Sequence, residues 1–208
     1  MSGENDGFRF VGENLALDFV NTRASEGGVV GEALPAFRDA RAWFEAAGVL
    51  SPADARRLLR FDGSAQARAA LAELHRFRAV LRAMLDELRA RGRIGAGYVR
   101  AINAALEFCG CSRALVSAGT GYAVRVQYRF AKPRDLLMVP ANAAAELIAG
   151  EDLSRVKRCG SECCDIYFLD TSRNRSRTWC EMSACGNRAK AAAYYRRSRI
   201  AGAAARAS

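Results

Sequence analysis

Residues 159–164 read CGSECC and residues 180–185 read CEMSAC, which gives two cysteine pairs with the spacing C-x4-C and fifteen residues between the pairs. At structural sites Zn²⁺ prefers a closed tetrahedron of thiolates, and two short knuckles joined by a loop supply four of them. The spacing therefore predicts one structural zinc ion, with four unrelated buried thiols as the alternative interpretation. The predicted ligands are Cys159, Cys164, Cys180 and Cys185.

Cys163 leaves the register of the first knuckle open, because Cys159 could pair with it as C-x3-C. Adjacent cysteines seldom bind one ion together, and the choice of Cys164 makes the two knuckles equal in length. The single histidine, His75, lies far upstream in a helical pattern, which favours an all-cysteine site. Four thiolates leave no coordination position for water, so we expect the metal to stabilise the fold and not to act in catalysis.

The residues around these cysteines form a distinctive pattern. It consists of Phe168–Arg173, Arg177, Trp179, Cys180 and Cys185–Arg188. This pattern resembles the CGNR zinc finger family, whose name is spelled by the last four residues. The sequence departs from the family pattern at Cys163, where a cysteine is unusual, and at Glu181, where a small residue is common. Neither departure removes a ligand, so the resemblance implies the same zinc site.

The N-terminal region carries a second resemblance. Residues Phe10–Gly12 and Leu15–Thr22 resemble the opening of the ABATE domain, which accompanies the CGNR finger in bacterial proteins regarded as stress-induced transcription regulators. We therefore expect an ABATE-like domain over residues 1–150 and a CGNR-type zinc finger with a basic C-terminal helix over residues 151–208. Within the first domain, Asp18 is interpreted as a buried hydrogen-bonding residue rather than as part of a pocket.

The composition and the apolar patterns predict an α+β fold: a mainly helical N-terminal domain with a small β-hairpin, then a small four-cysteine finger with a C-terminal helix. Half of the 208 residues are hydrophobic, which is enough to bury a sizeable core. Residues 65–89 place apolar side chains at steps of three and four, as in an amphipathic helix. Residues 122–130 alternate and pair with residues 114–116 as a hairpin. The residues on its apolar face are Val124, Val126, Tyr128 and Phe130. Because the long helix and the hairpin offer an apolar core, we expect residues 1–150 to fold without the finger.

The positive charge is concentrated in the finger. The formal net charge is +10, and residues 151–208 alone carry +6. Such a distribution favours an acidic partner, with nucleic acid as the first candidate. No apolar run approaches the roughly 18 residues needed to cross a bilayer, and no charged start followed by an apolar run resembles an export signal. We therefore expect a soluble cytoplasmic protein that does not bind membranes.

Two basic segments are candidates for DNA contact. Residues 171–177 read TSRNRSR and alternate guanidinium groups with hydroxyl or amide groups, which suits phosphate oxygens, although a solvated loop is the alternative. Residues 187–199 are predicted to form a helix that docks Ala191, Tyr194 and Tyr195 on the metal knuckle and turns basic faces towards the major groove. The sequence does not separate base readers from phosphate anchors. The predicted DNA-binding residues are Arg173, Arg175, Arg177, Arg188, Lys190, Arg196, Arg197 and Arg199.

These observations favour a zinc-containing, DNA-binding transcription regulator. In this interpretation the finger contacts DNA, while the N-terminal domain senses a small-molecule or protein effector or forms a homodimer. The alternative is a zinc-stabilised protein-interaction module that binds an acidic partner, and RNA binding is a third hypothesis. The sequence predicts no enzyme, since it has no Gly-rich phosphate loop, no arrangement of Ser, His and Asp, and no second histidine for a catalytic metal.

Overall fold

A computed structural model describes residues 3–5, 7–107 and 110–204, with side chains for residues 7–107 and 110–196. Within these residues the predicted α+β class is confirmed, since helices dominate and the sheets are two-stranded and antiparallel. The helices are α1 Leu15–Asn21, α2 Phe37–Ala46, α3 Pro52–Leu59, α4 Ala65–Arg91, α5 Ala96–Leu106, α6 Met138–Gly150 and α7 Asn187–Ala204. The strand pairs are β1 Gly3–Asn5 with β2 Phe8–Phe10, β3 Arg23–Glu26 with β4 Val29–Glu32, β5 Cys111–Ala118 with β6 Gly121–Tyr128, and β7 Val156–Arg158 with β8 Tyr167–Leu169.

The long helix α4 follows from its sequence pattern and its caps. The Ser64 hydroxyl accepts a hydrogen bond from the Ala67 N–H at 3.1 Å, and Gly92 ends the helix in the left-handed region at φ 66°. Serine at the N-cap and glycine after the last turn satisfy backbone groups that a helix end leaves without partners. The apolar stripe of α4 is buried at Leu74, Phe77, Leu81, Leu85 and Leu88.

The core lies where α1 and α2 meet α4 and α6. Phe19 of α1 packs against Trp43 and Phe44 of α2, with ring centroids 5.9 and 6.3 Å away. Phe10 of β2 stacks on Trp43 at 5.6 Å, which brings the N-terminal hairpin to the same core. In the described part of the chain, no helix combines the length and the apolar character required to span a bilayer.

The predicted hairpin is present, but its expected apolar face is only partly buried. Leu115 and Val124 lie opposite each other in β5 and β6 and remain 69% and 64% exposed. Only the base of the hairpin reaches the core, through Tyr128 and the buried Phe130. The hairpin therefore contributes to the core through one end, because alternation along a strand selects a face but does not supply a second layer to cover it.

The finger packs directly against the N-terminal region. The Asn21 side chain at the end of α1 donates to the Tyr167 carbonyl at 2.7 Å and accepts from the Tyr167 N–H at 2.9 Å. The Leu169 N–H donates to the Gly12 carbonyl at 2.8 Å. Tyr167 and Leu169 belong to the main core, so β8 is shared by the two sequence regions. Independent folding of residues 1–150 stays a prediction.

Candidate metal centre

The structure brings the four predicted cysteine ligands together. Their sulfur atoms all lie within 4.8 Å of one another, and all four residues are buried. The Sγ of Cys180 is 3.8 Å from that of Cys164 and 3.7 Å from that of Cys185. A zinc ion with four thiolates at about 2.3 Å requires sulfur separations of about 3.8 Å in a tetrahedron. The donor set and its dimensions therefore fit a four-coordinate metal ion.

Backbone hydrogen bonds position the two knuckles. Cys159 follows β7, and its N–H donates to the Ile166 carbonyl at 2.8 Å, which closes the first knuckle. The Gly160 N–H donates to the Thr178 carbonyl at 2.9 Å and thereby joins the first knuckle to the second. Cys185 lies in a short π-helical turn, Met182–Gly186, that leads directly into α7. The orientation of α7 is thus coupled to the geometry of the second knuckle.

Trp179 packs between the two knuckles, and two glycines make room for it. A Cβ atom on Gly160 would lie 3.3 Å from the Trp179 ring, and one on Gly186 would lie 3.2 Å from it. The same added atom on Gly186 would also lie closer to the Met182 sulfur than van der Waals contact allows. Gly186 therefore packs closely beside the metal centre, and a side chain there would require Met182 and Trp179 to move.

The sulfur cluster is electrostatically suited to a cation. Hydrogen bonds from Cys164 and Cys180 lower the pKa of Cys159, and the bond that Cys164 makes to Cys159 raises the pKa of Cys164 to about 12. The pKa of Cys180 is raised by its hydrogen bonds to Cys159 and Cys164. Several thiolates at this spacing repel one another unless a cation lies between them, so metal binding must displace the shared protons.

Cys163 and His75 lie outside the cluster. The Cys163 sulfur is half-buried and contacts the Ser161 hydroxyl at 3.3 Å and the Arg188 guanidinium at 3.5 Å. His75 lies on α4, where its Nε2 forms a hydrogen bond with the Leu34 carbonyl at 2.9 Å. The four sulfurs that converge are thus those of the C-x4-C register.

Arg177 is committed to contacts within the protein. Its guanidinium donates to the carbonyls of Val11 at 3.0 Å and Cys180 at 2.6 Å, and it lies 4.4 Å above the Phe168 ring. It also approaches the Glu13 carboxylate at 3.5 Å. These contacts tie the N-terminal segment to the second knuckle. A sequence signal was available, since Arg177 belongs to the family pattern rather than only to the basic run.

The other predicted DNA contacts on the loop of residues 171–177 are exposed. Arg173 is exposed and forms no ion pair with any residue that the structure describes. Arg175 pairs with Asp152 at 2.9 Å, and half of its side chain remains accessible. Its backbone adopts φ 54°, an uncommon conformation for a residue with a side chain. The loop therefore presents arginines outwards at Arg173 and Arg175.

Helix α7 presents a basic surface but does not dock as predicted. Arg188, Lys190 and Arg196 are exposed, while the side chains of Arg197 and Arg199 lie outside the described residues. Tyr194 and Tyr195 are 62% and 67% exposed, so the expectation that they pack on the knuckle was wrong. The half-buried positions of this helix are occupied by small residues, Ala189 and Ala193. A helical pattern groups residues on a face but does not supply the element that would cover that face.

Two arginines at the junction were not predicted as functional residues from the sequence. Arg9 binds Glu26 and also contacts Glu181, 2.7 Å away in the second knuckle. Arg82 of α4 donates to the carbonyls of Asp165 at 2.7 Å and Arg23 at 2.8 Å. The departure from the family pattern at Glu181 thus provides a partner for Arg9. Long-range pairs of this kind leave no local signal in a single sequence.

Comparison with protein families supports the two resemblances. A model described as "CGNR zinc finger" matches residues 155–198, and the ABATE model, described as "Putative stress-induced transcription regulator", matches residues 13–151. The expected architecture is thereby confirmed. Neither description names a chemical reaction, and a comparison with curated proteins gave no match. Four clustered cysteines in a segment that matches a zinc finger indicate zinc binding.

Proposed function

The chain belongs to the ABATE family and carries a CGNR zinc finger, and from this premise we propose that it is a transcription regulator that binds DNA through its finger. One observation carries the proposal. The cluster of four cysteines packs against Val11 and Ala24 on one side, while the loop of residues 171–177 and helix α7 expose basic side chains. The fold thus holds the finger by one surface and leaves its positive surface accessible.

The proposed cofactor is one structural zinc ion held by Cys159, Cys164, Cys180 and Cys185. When bound, zinc would supply the bonds that fix the two knuckles against each other. The protein contributes the thiolates, the hydrogen bonds that orient the knuckles, and the packing of Trp179 between them. The site resembles a structural centre, because the four protein sulfurs would fill every position of a tetrahedral ion.

The proposed DNA surface combines the loop with the first turns of α7. Arg173 and Arg175 are assigned to phosphates, because guanidinium groups on an exposed loop pair with phosphate oxygens in any sequence context. Arg188 and Lys190 lie in the first turn of α7, shortly after Cys185, and are assigned to the groove. Arg197 and Arg199 extend the same basic helix. Arg177 is assigned to holding the second knuckle in place rather than to DNA.

The N-terminal region is proposed to supply regulation, either by binding an effector or by forming a homodimer. Contacts between the N-terminal region and the finger support this assignment of roles. Arg9 links Glu26 in the N-terminal region to Glu181 in the second knuckle, and the Asn21 side chain forms two hydrogen bonds with the backbone of Tyr167. A change in the N-terminal region therefore has direct contacts through which it can alter the finger.

The test is titration of the zinc-loaded protein with labelled duplex DNA at several salt concentrations. We expect binding that weakens with salt, and replacement of Arg173 and Arg175 by glutamine should reduce the salt slope by about 0.9 for each phosphate that is no longer neutralised. Replacement of Arg188 or Lys190 should cost about 1–3 kcal/mol on a preferred sequence if either residue reads a base edge.

Two outcomes would contradict DNA binding. No binding at low salt, with zinc fully bound, would favour the alternative of a protein-interaction module for an acidic partner. Tighter binding to single-stranded or structured RNA than to duplex DNA would favour RNA as the target. The zinc content of every variant must be measured, because a variant without the metal would also bind DNA poorly.

A further inference from the structure

We propose that Asp170, buried beneath the loop of residues 171–177, is a positioning residue that shapes this loop for the phosphates of DNA. The inference rests on the proposed function, because it concerns how the same surface meets the duplex. Asp170 does not reach the surface itself, since its exposed fraction is 0%. Its influence on DNA would act through the backbone of the loop.

One carboxylate holds both ends of the loop. Oδ1 of Asp170 accepts hydrogen bonds from the Ser172 N–H at 3.0 Å and from the Ser172 hydroxyl, while Oδ2 accepts from the Arg177 N–H at 3.1 Å. An ionised carboxylate is suited to this role, since its two oxygens accept several hydrogen bonds and donate none. Burial alone would raise the pKa of Asp170, but hydrogen bonds from Lys157 and Ser172 hold it below its usual value.

Lys157 neutralises the buried carboxylate and closes the loop from below. Its Nζ lies 2.6 Å from Oδ2 of Asp170 and donates to the Arg175 carbonyl, also at 2.6 Å. The Ser172 hydroxyl accepts a further hydrogen bond from the Ser176 N–H at 3.1 Å. Because the charges of Lys157 and Asp170 offset each other inside the protein, the field outside the loop arises from its exposed arginines.

This network fixes the loop before any ligand arrives. Arg173, Asn174 and Ser176 are exposed, so the groups able to donate to phosphate point away from the buried network. A loop that is already ordered loses less conformational entropy on binding than a flexible basic segment does. The ordered backbone distinguishes this surface from the solvated loop that composition alone would allow.

Two substitutions with the same change in charge test the inference. Asp152→Asn removes the surface carboxylate that pairs with Arg175, and Asp170→Asn removes the buried one. If only net charge mattered, both variants would bind duplex DNA more tightly. We expect Asp152→Asn to bind up to about threefold more tightly, because a surface ion pair is weak. Asp170→Asn should bind about tenfold more weakly, because one of the two acceptor oxygens is replaced by an NH₂ donor and Lys157 loses its anionic partner.

Ser172→Ala provides a second variant without a change in charge. It removes the hydroxyl that joins Asp170 to the Ser176 N–H, and we expect about two- to fivefold weaker binding with zinc retained. Undiminished binding by zinc-loaded Asp170→Asn overturns the inference. If Asp170→Asn loses its zinc, Ser172→Ala decides the matter, and unchanged binding by that variant overturns it.

A separate probe distinguishes failure of the loop from failure of DNA binding. Inorganic phosphate should shift the NMR resonances of the backbone amides of residues 171–176 in the wild-type protein and shift them less in Ser172→Ala. If the wild-type protein binds no duplex but shows these shifts, the proposed function fails and the loop inference survives. If duplex DNA binds while phosphate leaves the loop amides unshifted, the loop inference fails alone.

Discussion

The hairpin with the stronger strand pattern in the sequence, β5–β6, is the more exposed one, and the short hairpin β7–β8 is the more buried. Strands β5 and β6 have eight residues each and a clear alternation, yet Leu115 and Val124 are mostly exposed. Strands β7 and β8 have three residues each, yet Tyr167 and Phe168 are 1% and 0% exposed. Sequence alternation predicts a strand, but burial depends on whether other elements cover its faces.

Strand β8 is covered on both faces because it lies between two clusters. Tyr167 and Leu169 point to the main core, and Phe168, between them in sequence, packs with the metal cysteines. Successive side chains of a strand point to opposite faces, so three residues suffice to join the two clusters. The following predictions test whether the finger and the N-terminal region depend on this strand.

The largest effect is expected from loss of the metal. Cys180→Ser should abolish zinc binding and loosen residues 155–199, because apparent binding energies for structural zinc reach about 10–16 kcal/mol and contribute directly to folding. Elemental analysis and hydrogen exchange would measure both consequences. Cys163→Ser is the control and should retain zinc. Equal zinc loss from the Cys163 and Cys164 variants would contradict the proposed ligand register.

A chain that ends at Gly150 tests how far the N-terminal region depends on β8. We expect it to fold, as the core of α1, α2, α4 and α6 remains, but with stability lowered by several kcal/mol because Tyr167 and Leu169 no longer fill their places. Calorimetry would show a cooperative transition at a lower temperature than in the full chain. If the shortened chain shows no cooperative transition, the domain division at residue 150 is refuted.

A single substitution in β8 should destabilise the protein more than one in β5. Phe168→Ala in β8 should destabilise the protein by about 3–5 kcal/mol, because it leaves a cavity beside the metal centre. Leu115→Ala in β5 should change stability by less than about 0.5 kcal/mol, because the side chain is exposed. Urea unfolding of the zinc-loaded proteins provides the comparison. Similar losses in both hairpins would show that β5–β6 is covered in solution.

A smaller, pH-dependent effect is expected at Asp18. This residue holds Gly12, whose carbonyl accepts a hydrogen bond from Leu169 of β8. Asp18 accepts a hydrogen bond from the Gly12 N–H at 2.7 Å, and burial raises its pKa to about 6. The native state therefore holds a proton that the unfolded chain has lost, so this contribution to stability decreases as pH rises through the native pKa. Between pH 5 and 7.5 the loss should be about 1 kcal/mol.

Asp18→Asn isolates this contribution. The amide oxygen can still accept from Gly12, but it does not titrate, so the variant should gain stability relative to wild type as pH rises over this interval. Urea unfolding at each pH gives the free energy of unfolding of both proteins. In the difference between them, the contributions of all other titrating groups cancel. A constant difference between the two proteins across the interval would contradict the raised pKa.

Much of the candidate site could be predicted because its determinants are local. Four cysteines at matched spacing identified the sulfur cluster, and the periodic stripe of α4 identified the helix that supports the core. The internal contacts of Arg177 were not predicted, because its place in the family pattern marks it as distinct from the basic run but does not identify a partner as distant in sequence as the Val11 carbonyl. The exposed positions of Tyr194 and Tyr195 were missed because a helical pattern ranks faces by polarity and does not reveal which face has a neighbour.

The sequence by itself determined the elements whose information lies within a few residues: the knuckle spacing, the caps and stripe of α4, the hairpin turns and the excess of positive charge in the finger. The tertiary structure decided which of these elements are covered. It placed β8 between two clusters, left β5–β6 exposed, buried Asp170 and turned Arg177 inwards. The physical reason is that burial and ion pairing are properties of two surfaces in contact, and residues as far apart as Val11 and Arg177 meet only after the chain has folded.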